Sequence, residues 1–163
     1  MKNFLFALTV TALGAIGCTT NETENLTQHP KQITQYAIEN IQENTQEYTM
    51  INIKIGNTDF SAVFYNNETT KELVKQFPAT YTMSELHGNE KYYYMSTSFP
   101  TNSECPSTIN KGDIMLYGNN CVVVFYDTFP NSYSYTKLGY IEDTTGLEEA
   151  VGKGSIDIHF EQK

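Results

Sequence analysis

From residue 50 to the end of the chain, apolar and polar residues alternate in short runs, and Gly, Asn or Pro closes most of them. A period of two puts every second side chain on the same face, so these runs form strands that bury one side only. Strands of this kind must close on one another or on a second layer, because a bare edge invites foreign pairing. The runs "INIKIG" and "TDFSAVFY" meet across Gly56 and Asn57, which predicts an opening β-hairpin. The stretch "NNETTKELVKQFP" breaks the alternation and predicts a short helix. There Thr69 and Glu72 stand at capping-box spacing, Leu73, Val74 and Phe77 make one apolar face, and Pro78 stops the helix. Further strands are expected in "ATYTMSEL", "KYYYMS", "DIMLYG" and "CVVVFYD", the last two joined as a hairpin across Gly118, Asn119 and Asn120. The intervening "TSFPTNSECPSTINKG" reads as a long loop. Near the end, "KLGYIED" predicts a strand and "SIDIHFE" a closing one. Between them "TTGLEEAVG" predicts a short helix, with a capping box from Thr145 to Glu148 and Gly152 past its end.

The 163 residues suffice for one such domain and an appendage, not for two large domains. Three Cys are too few for a disulfide scaffold. A formal charge of −9, with ten Lys and no Arg, speaks against a nucleic-acid partner, which needs a clustered basic surface and favours Arg forks for base reading.

The first residues read as an address. Met1 and Lys2 give a short positive start, residues 4–16 an apolar run too short to span a bilayer, and "AIGC" a small-residue boundary before Cys18. This boundary resembles the lipobox of bacterial lipoproteins, in which the Cys is acylated and becomes the mature N terminus. The resemblance implies a leader over residues 1–17, lipid attachment at Cys18, and a protein anchored to a membrane of the bacterial cell envelope. An ordinary secretory signal is the alternative, and either one exports the chain. Residues 18–48 follow as a polar tether whose composition offers little surface to bury. Ile33, Ala37, Ile38 and Ile41 stand there at near-helical spacing over residues 31–44.

The order of elements from residue 49 to 163 fits a closed barrel plugged by two helices, and it resembles the cyclophilin fold. A closer resemblance is to the bacterial cyclophilin-like fold proteins, carried by "MSELHGNEKYYYM", "PTNSECPSTINKGDIMLYGNNCVVVFY", "SYSYTKLGYIED" and "GLEEAVGKGSIDIHF". The resemblance implies a mainly β domain, a closed cyclophilin-like barrel with two short helices and an external groove. Prolyl isomerases of that fold polarise the substrate backbone with an Arg fork, and this chain has no Arg. A Lys cannot reproduce a planar bidentate donor, so efficient isomerisation is not expected and no catalytic residue is transferred.

The remaining chemistry is sparse. His29, His87 and His159 show no metal-ligand spacing, and neither a metal nor another cofactor is expected. Ser132 and Ser134 lack a G-x-S-x-G elbow. Glu85, Glu90 and Glu104 are spread along the chain as solvated acids usually are. Cys121 opens an apolar strand and Cys105 sits in a loop, so two free thiols are the default, with a bridge between them as the alternative. The aromatic content stands out: Tyr92 and Tyr94 fall on one face of a strand and Tyr93 on the other. These rings either pack the barrel or line a groove for a peptide or small molecule. By the strands that bound the groove in the fold it resembles, the candidate lining is Met83, Tyr92, Tyr94, Phe125 and Tyr135. The expectation is thus a lipid-anchored binding module of the envelope. The alternative is an envelope enzyme, either a weak prolyl isomerase or a hydrolase that pairs His87 with a neighbouring acid.

Overall fold

A computed structural model describes residues 48–163 of the protein. The expected leader over residues 1–17, the lipid-attachment residue Cys18 and the tether, Tyr48 excepted, lie outside the described residues. The chain runs through β1 (Thr49–Ile55), β2 (Thr58–Phe64), α1 (Glu68–Val74), β3 (Ala79–Leu86), β4 (Glu90–Tyr94) and β5 (Thr108–Ile109). It continues through β6 (Asp113–Tyr117), β7 (Cys121–Phe125), β8 (Phe129–Pro130), β9 (Tyr135–Ile141), α2 (Leu147–Val151) and β10 (Ile156–Gln162). Eight strands close an antiparallel barrel in the order β1-β10-β3-β4-β7-β6-β9-β2, with β2 pairing back to β1. The two short strands β5 and β8 pair as a separate ribbon. The domain is therefore mainly β, a closed eight-stranded barrel with two short helices.

Period-two patterning builds the wall. In β1 the buried Ile51, Ile53 and Ile55 point inward, and Ile53 stands opposite Phe60 of β2 and Phe160 of β10. Leu73 of α1 and Leu147 and Val151 of α2 bury into the same cluster as these strand residues, so both helices are held by the barrel interior. Each such side chain contributes roughly 1.5–3 kcal/mol of burial. The β1–β2 turn is the expected two-residue one, with Gly56 at φ 59 as a glycine-first hairpin turn requires.

Both helix starts differ from the sequence reading. α1 is capped by Asn67, not within a Thr69–Glu72 box: the Asn67 Oδ1 accepts from the Thr70 amide at 2.9 Å and from the Thr70 hydroxyl at 2.6 Å. Thr69 lies inside the first turn, one residue past the helix start, and donates its hydroxyl to the Pro100 carbonyl at 2.7 Å. α2 starts at Gly146, in a left-handed conformation with no side-chain cap, rather than in a Thr145–Glu148 box. The Thr145 amide is instead taken by Asp143 Oδ1 at 2.9 Å. The loop over residues 97–112 holds β5, and β9 begins at Tyr135, two residues before the expected strand "KLGYIED".

The barrel closes at a narrow seam. β2 and β9 share only the pairs Ala62–Ile141, Val63–Tyr140 and Phe64–Gly139. A Cβ at Gly139 would collide with the Val63 carbonyl and would stand 2.9 Å from the Phe64 Cα, so only glycine lets the two backbones approach.

Candidate functional site

The outer face of β4, β7, β6 and β9 carries a grid of side chains fixed by strand register. One rung runs Tyr94, Cys121, Tyr117, Tyr135 across the four strands. The next places Tyr92 opposite Val123 and Val123 opposite Met115, and a third sets Glu90 opposite Phe125. The alternate residues Lys91, Tyr93, Val122, Val124, Ile114 and Leu116 belong to the opposite side of the wall, where Tyr93 stacks on Tyr81 at 4.9 Å.

A strap covers one side of this grid. β8 pairs with β5 through Ile109–Phe129 and Thr108–Pro130. Beyond β8, Asn131 donates from Nδ2 to the Pro106 carbonyl at 2.8 Å and to the Tyr133 carbonyl at 2.7 Å, and its Oδ1 accepts from the Tyr133 amide at 3.0 Å. Buried Ile109, Phe125 and Tyr135 pack with Phe129 beneath the strap as a second, smaller core on the outside of the barrel. Between strap and grid lies a groove of about 460 Å³, within the range of small-ligand pockets. Its aromatic end is formed by Tyr94, Tyr117, Tyr133 and Tyr135. Its polar end is formed by Glu90 with the turn residues Leu86, His87 and Asn89, and His87 holds a positive φ of 57°. The side-chain oxygen of Asn89 is buried there without a hydrogen-bond partner.

Three of the five expected lining residues, Tyr92, Tyr94 and Tyr135, come together on this groove. Tyr94 is 59% exposed, whereas Tyr135 is buried and only borders the space. Phe125 lies beneath the lining, fully buried, with its ring edge-to-face against Tyr135 at 5.5 Å. Met83 instead faces the barrel interior: it is fully buried in the main core because β3 turns its odd-numbered side there. Tyr117, Tyr133, Val123, Cys121 and Glu90 also line the groove, beside the strap and turn residues, and were not among the residues expected. The alternation Ile114, Leu116 in and Met115, Tyr117 out was present in "DIMLY", but the pairing of β6 with both β7 and β9 is what brings Tyr117 to Tyr135, 5.6 Å between rings.

Glu85, Glu90 and Glu104 have separate surroundings. Glu104 forms an ion pair with Lys137 at 2.8 Å. Glu85 pairs at 2.6 Å with the fully buried Lys91, whose ammonium also donates to the carbonyls of Gly152 and Gly154 at 3.1 and 2.7 Å. Burial opposes ionisation of Glu85, yet hydrogen bonds from Lys91, Tyr126 and the Gly88 amide outweigh it and hold the carboxyl below its ordinary range. Glu90 alone enters the groove, and burial pushes its carboxyl above the ordinary range. Burial likewise raises the Cys121 thiol to about 11 and, together with the Glu90 charge, the Tyr135 hydroxyl to about 12. At neutral pH Cys121 is therefore a protonated, unreactive thiol, and both Cys105 and Cys121 are free. Among the described residues no hydrogen bond or ion pair links His87 to Glu90 or Ser132, and no group of three His, Cys, Asp or Glu is placed to hold a metal ion.

A closed antiparallel barrel with two short helices and an aromatic groove on its outer wall is a β-barrel of the cyclophilin type. The Cyclophilin-like family matches residues 53–161, and the chain belongs to that family. The fold is shared with the solution structure of a hypothetical protein from Archaeoglobus fulgidus, at 14% identity and a TM-score of 0.56, covering 74% of this chain and 98% of that one. No curated protein matches the sequence.

Proposed function

We propose that the protein is a binding module of the bacterial cell envelope, held to a membrane by an acylated Cys18 and taking a peptide or small organic ligand in its outer groove. The observation that carries the reading is the groove itself: an open, ring-lined space with a wall stitched in place by Asn131 and the β5–β8 ribbon. Stiff Tyr rings give contact area at low entropy cost, as binding surfaces need. Turnover of a prolyl bond is not part of the reading, since no Arg is present to polarise the twisting amide. The "AIGC" boundary supports the anchor.

Two measurements test it. Mass spectrometry of the mature N terminus should find a diacylated Cys18, and Cys18→Ala should release the protein from membranes. A panel of neutral peptides and aromatic fragments, screened by tyrosine-ring NMR shifts, should perturb Tyr94 and Tyr117 without accelerating prolyl isomerisation. Clear isomerase turnover, or shifts confined to other parts of the barrel, would overturn the reading.

A further inference from the structure

Granting that the groove binds a ligand, its chemistry narrows what that ligand is. Glu90 lies partly buried at the polar end, and among the described residues nothing pairs with its carboxylate. The nearby lysines are engaged elsewhere, Lys91 through the barrel wall with Glu85 and Lys137 with Glu104. No Lys lines the groove, and the chain has no Arg. Among the groove-lining residues the only basic side chain is the exposed imidazole of His87, which faces Glu90 but is no permanent cation. The partly desolvated carboxylate therefore attracts a fixed cation strongly, because little water screens it. Along the same face of β4 Tyr92 follows Glu90 and Tyr94 follows Tyr92, their ring centroids 5.8 Å apart at 79°, so a stem running from Glu90 toward the aromatic end meets one ring face and one edge. Aromatic faces attract cations, and Tyr117 and Val123 further along offer apolar surface for a stem. A phosphate or carboxylate ligand would meet repulsion from Glu90 there and neither Lys nor Arg to hold it. A bare divalent metal would find a single carboxylate, short of the several oxygen ligands it takes.

We propose that the groove recognises an organic cation, an ammonium or guanidinium group on an apolar stem, with the charge seated against Glu90 and the stem across the Tyr92, Tyr94 and Tyr117 rings. A free amine and the basic side chain of a peptide share this chemistry. The test uses the full mature protein and three probes. One is the end-blocked peptide Phe-Lys-Phe, the second the same peptide with norleucine for lysine, and the third free phenethylammonium. The lysine peptide should bind at least about tenfold more tightly than its neutral counterpart, as a partly desolvated charge pair warrants. Glu90→Gln keeps the side chain's shape and should bring the two peptides to within about twofold, on the same charge-pair logic. Binding of phenethylammonium as tight as that of the lysine peptide assigns the site to small amines, and much weaker binding assigns it to peptide side chains. Equal affinity for the lysine and norleucine peptides overturns the cation inference while the groove remains a binding site. Discrimination that survives Glu90→Gln overturns the role of Glu90, and absence of binding by all three probes overturns the inference outright. The neutral panel described above decides separately whether the groove binds at all.

Discussion

A lysine with no solvent exposure is rare enough to need every one of its protons placed, and Lys91 meets that demand with three acceptors for three N–H groups. Removing it as Lys91→Met would leave two carbonyls unanswered and Glu85 without its counter-charge, held only by Tyr126 and the Gly88 amide, so we expect a loss of about 3 kcal/mol, the usual result of breaking one side of a buried pair. Chemical denaturation measures it, and a loss below about 1 kcal/mol, the range of a surface pair, would show that water replaces the ammonium. Glu85 adds a pH signature. Its folded pKa is depressed, so its contribution is complete above the unfolded value of about 4.3 and is lost as pH falls through the folded one. Glu85→Gln should therefore lower the melting temperature at pH 7, and the difference should shrink progressively as pH falls below about 4.3 and through the folded value. Tyr94 is exposed on the outer face, whereas Phe64 is fully buried in the barrel interior. Tyr94→Ala should leave stability within about 1 kcal/mol and weaken ligand binding, whereas Phe64→Ala should cost about 3–5 kcal/mol of stability. Thermal melts and ligand titrations of both variants make the comparison. The opposite faces of Tyr92 and Tyr93 were legible from alternation alone. The burial of Lys91 was not, since a Lys opening "KYYYM" reads as a solvated strand end until the chain near Gly152 and Gly154 is known to cover it.

Among the elements, β9 is under the tightest constraint. It meets β2 along three residue pairs, and next to that seam its pairing with β6 slips register between Ile114 and Met115. Gly139→Ala forces a methyl group into the β2 backbone, and we expect a loss of at least about 2–3 kcal/mol, as overpacking against an immovable neighbour gives. Hydrogen exchange should report it first as faster exchange of the Tyr65 amide, which donates to the Leu138 carbonyl at 2.9 Å. Protection unchanged at Tyr65 would mean that the seam adjusts. All eight barrel strands and both helices announce themselves in the sequence through period and turn residues. The caps did not, because Asn67, Thr69 and Thr70 are equally good candidates on local grounds. The choice fell to Pro100 and Lys137, distant residues that take the Thr69 hydroxyl and the Asn67 amide group. The β5–β8 strap escaped notice for the same reason, being two residues long on each side and defined only by its partner.

At the scale of the whole molecule, the described domain closes upon itself. Tyr48 is half exposed, and its ring meets Tyr65 at 6.4 Å. A chain beginning at Thr49 should accordingly melt within about 5 °C of the mature protein, the shift that a ~1 kcal/mol contact produces. A larger drop would show that Ile33, Ile38 and Ile41 dock on the barrel. The general architecture was readable from the order of its elements, but the position of the groove required the register of four strands distant in sequence. The strand order carries one more consequence. β10, the last seven residues of regular structure, lies between β1 and β3, both formed from the early part of the domain. Until it arrives, those two strands present unpaired edges to any neighbouring chain. Closure therefore waits on β10: a polypeptide clipped before residue 156 should keep both edges open and be prone to sheet-to-sheet aggregation, and the arrival of "IDIHFEQ" is what covers them.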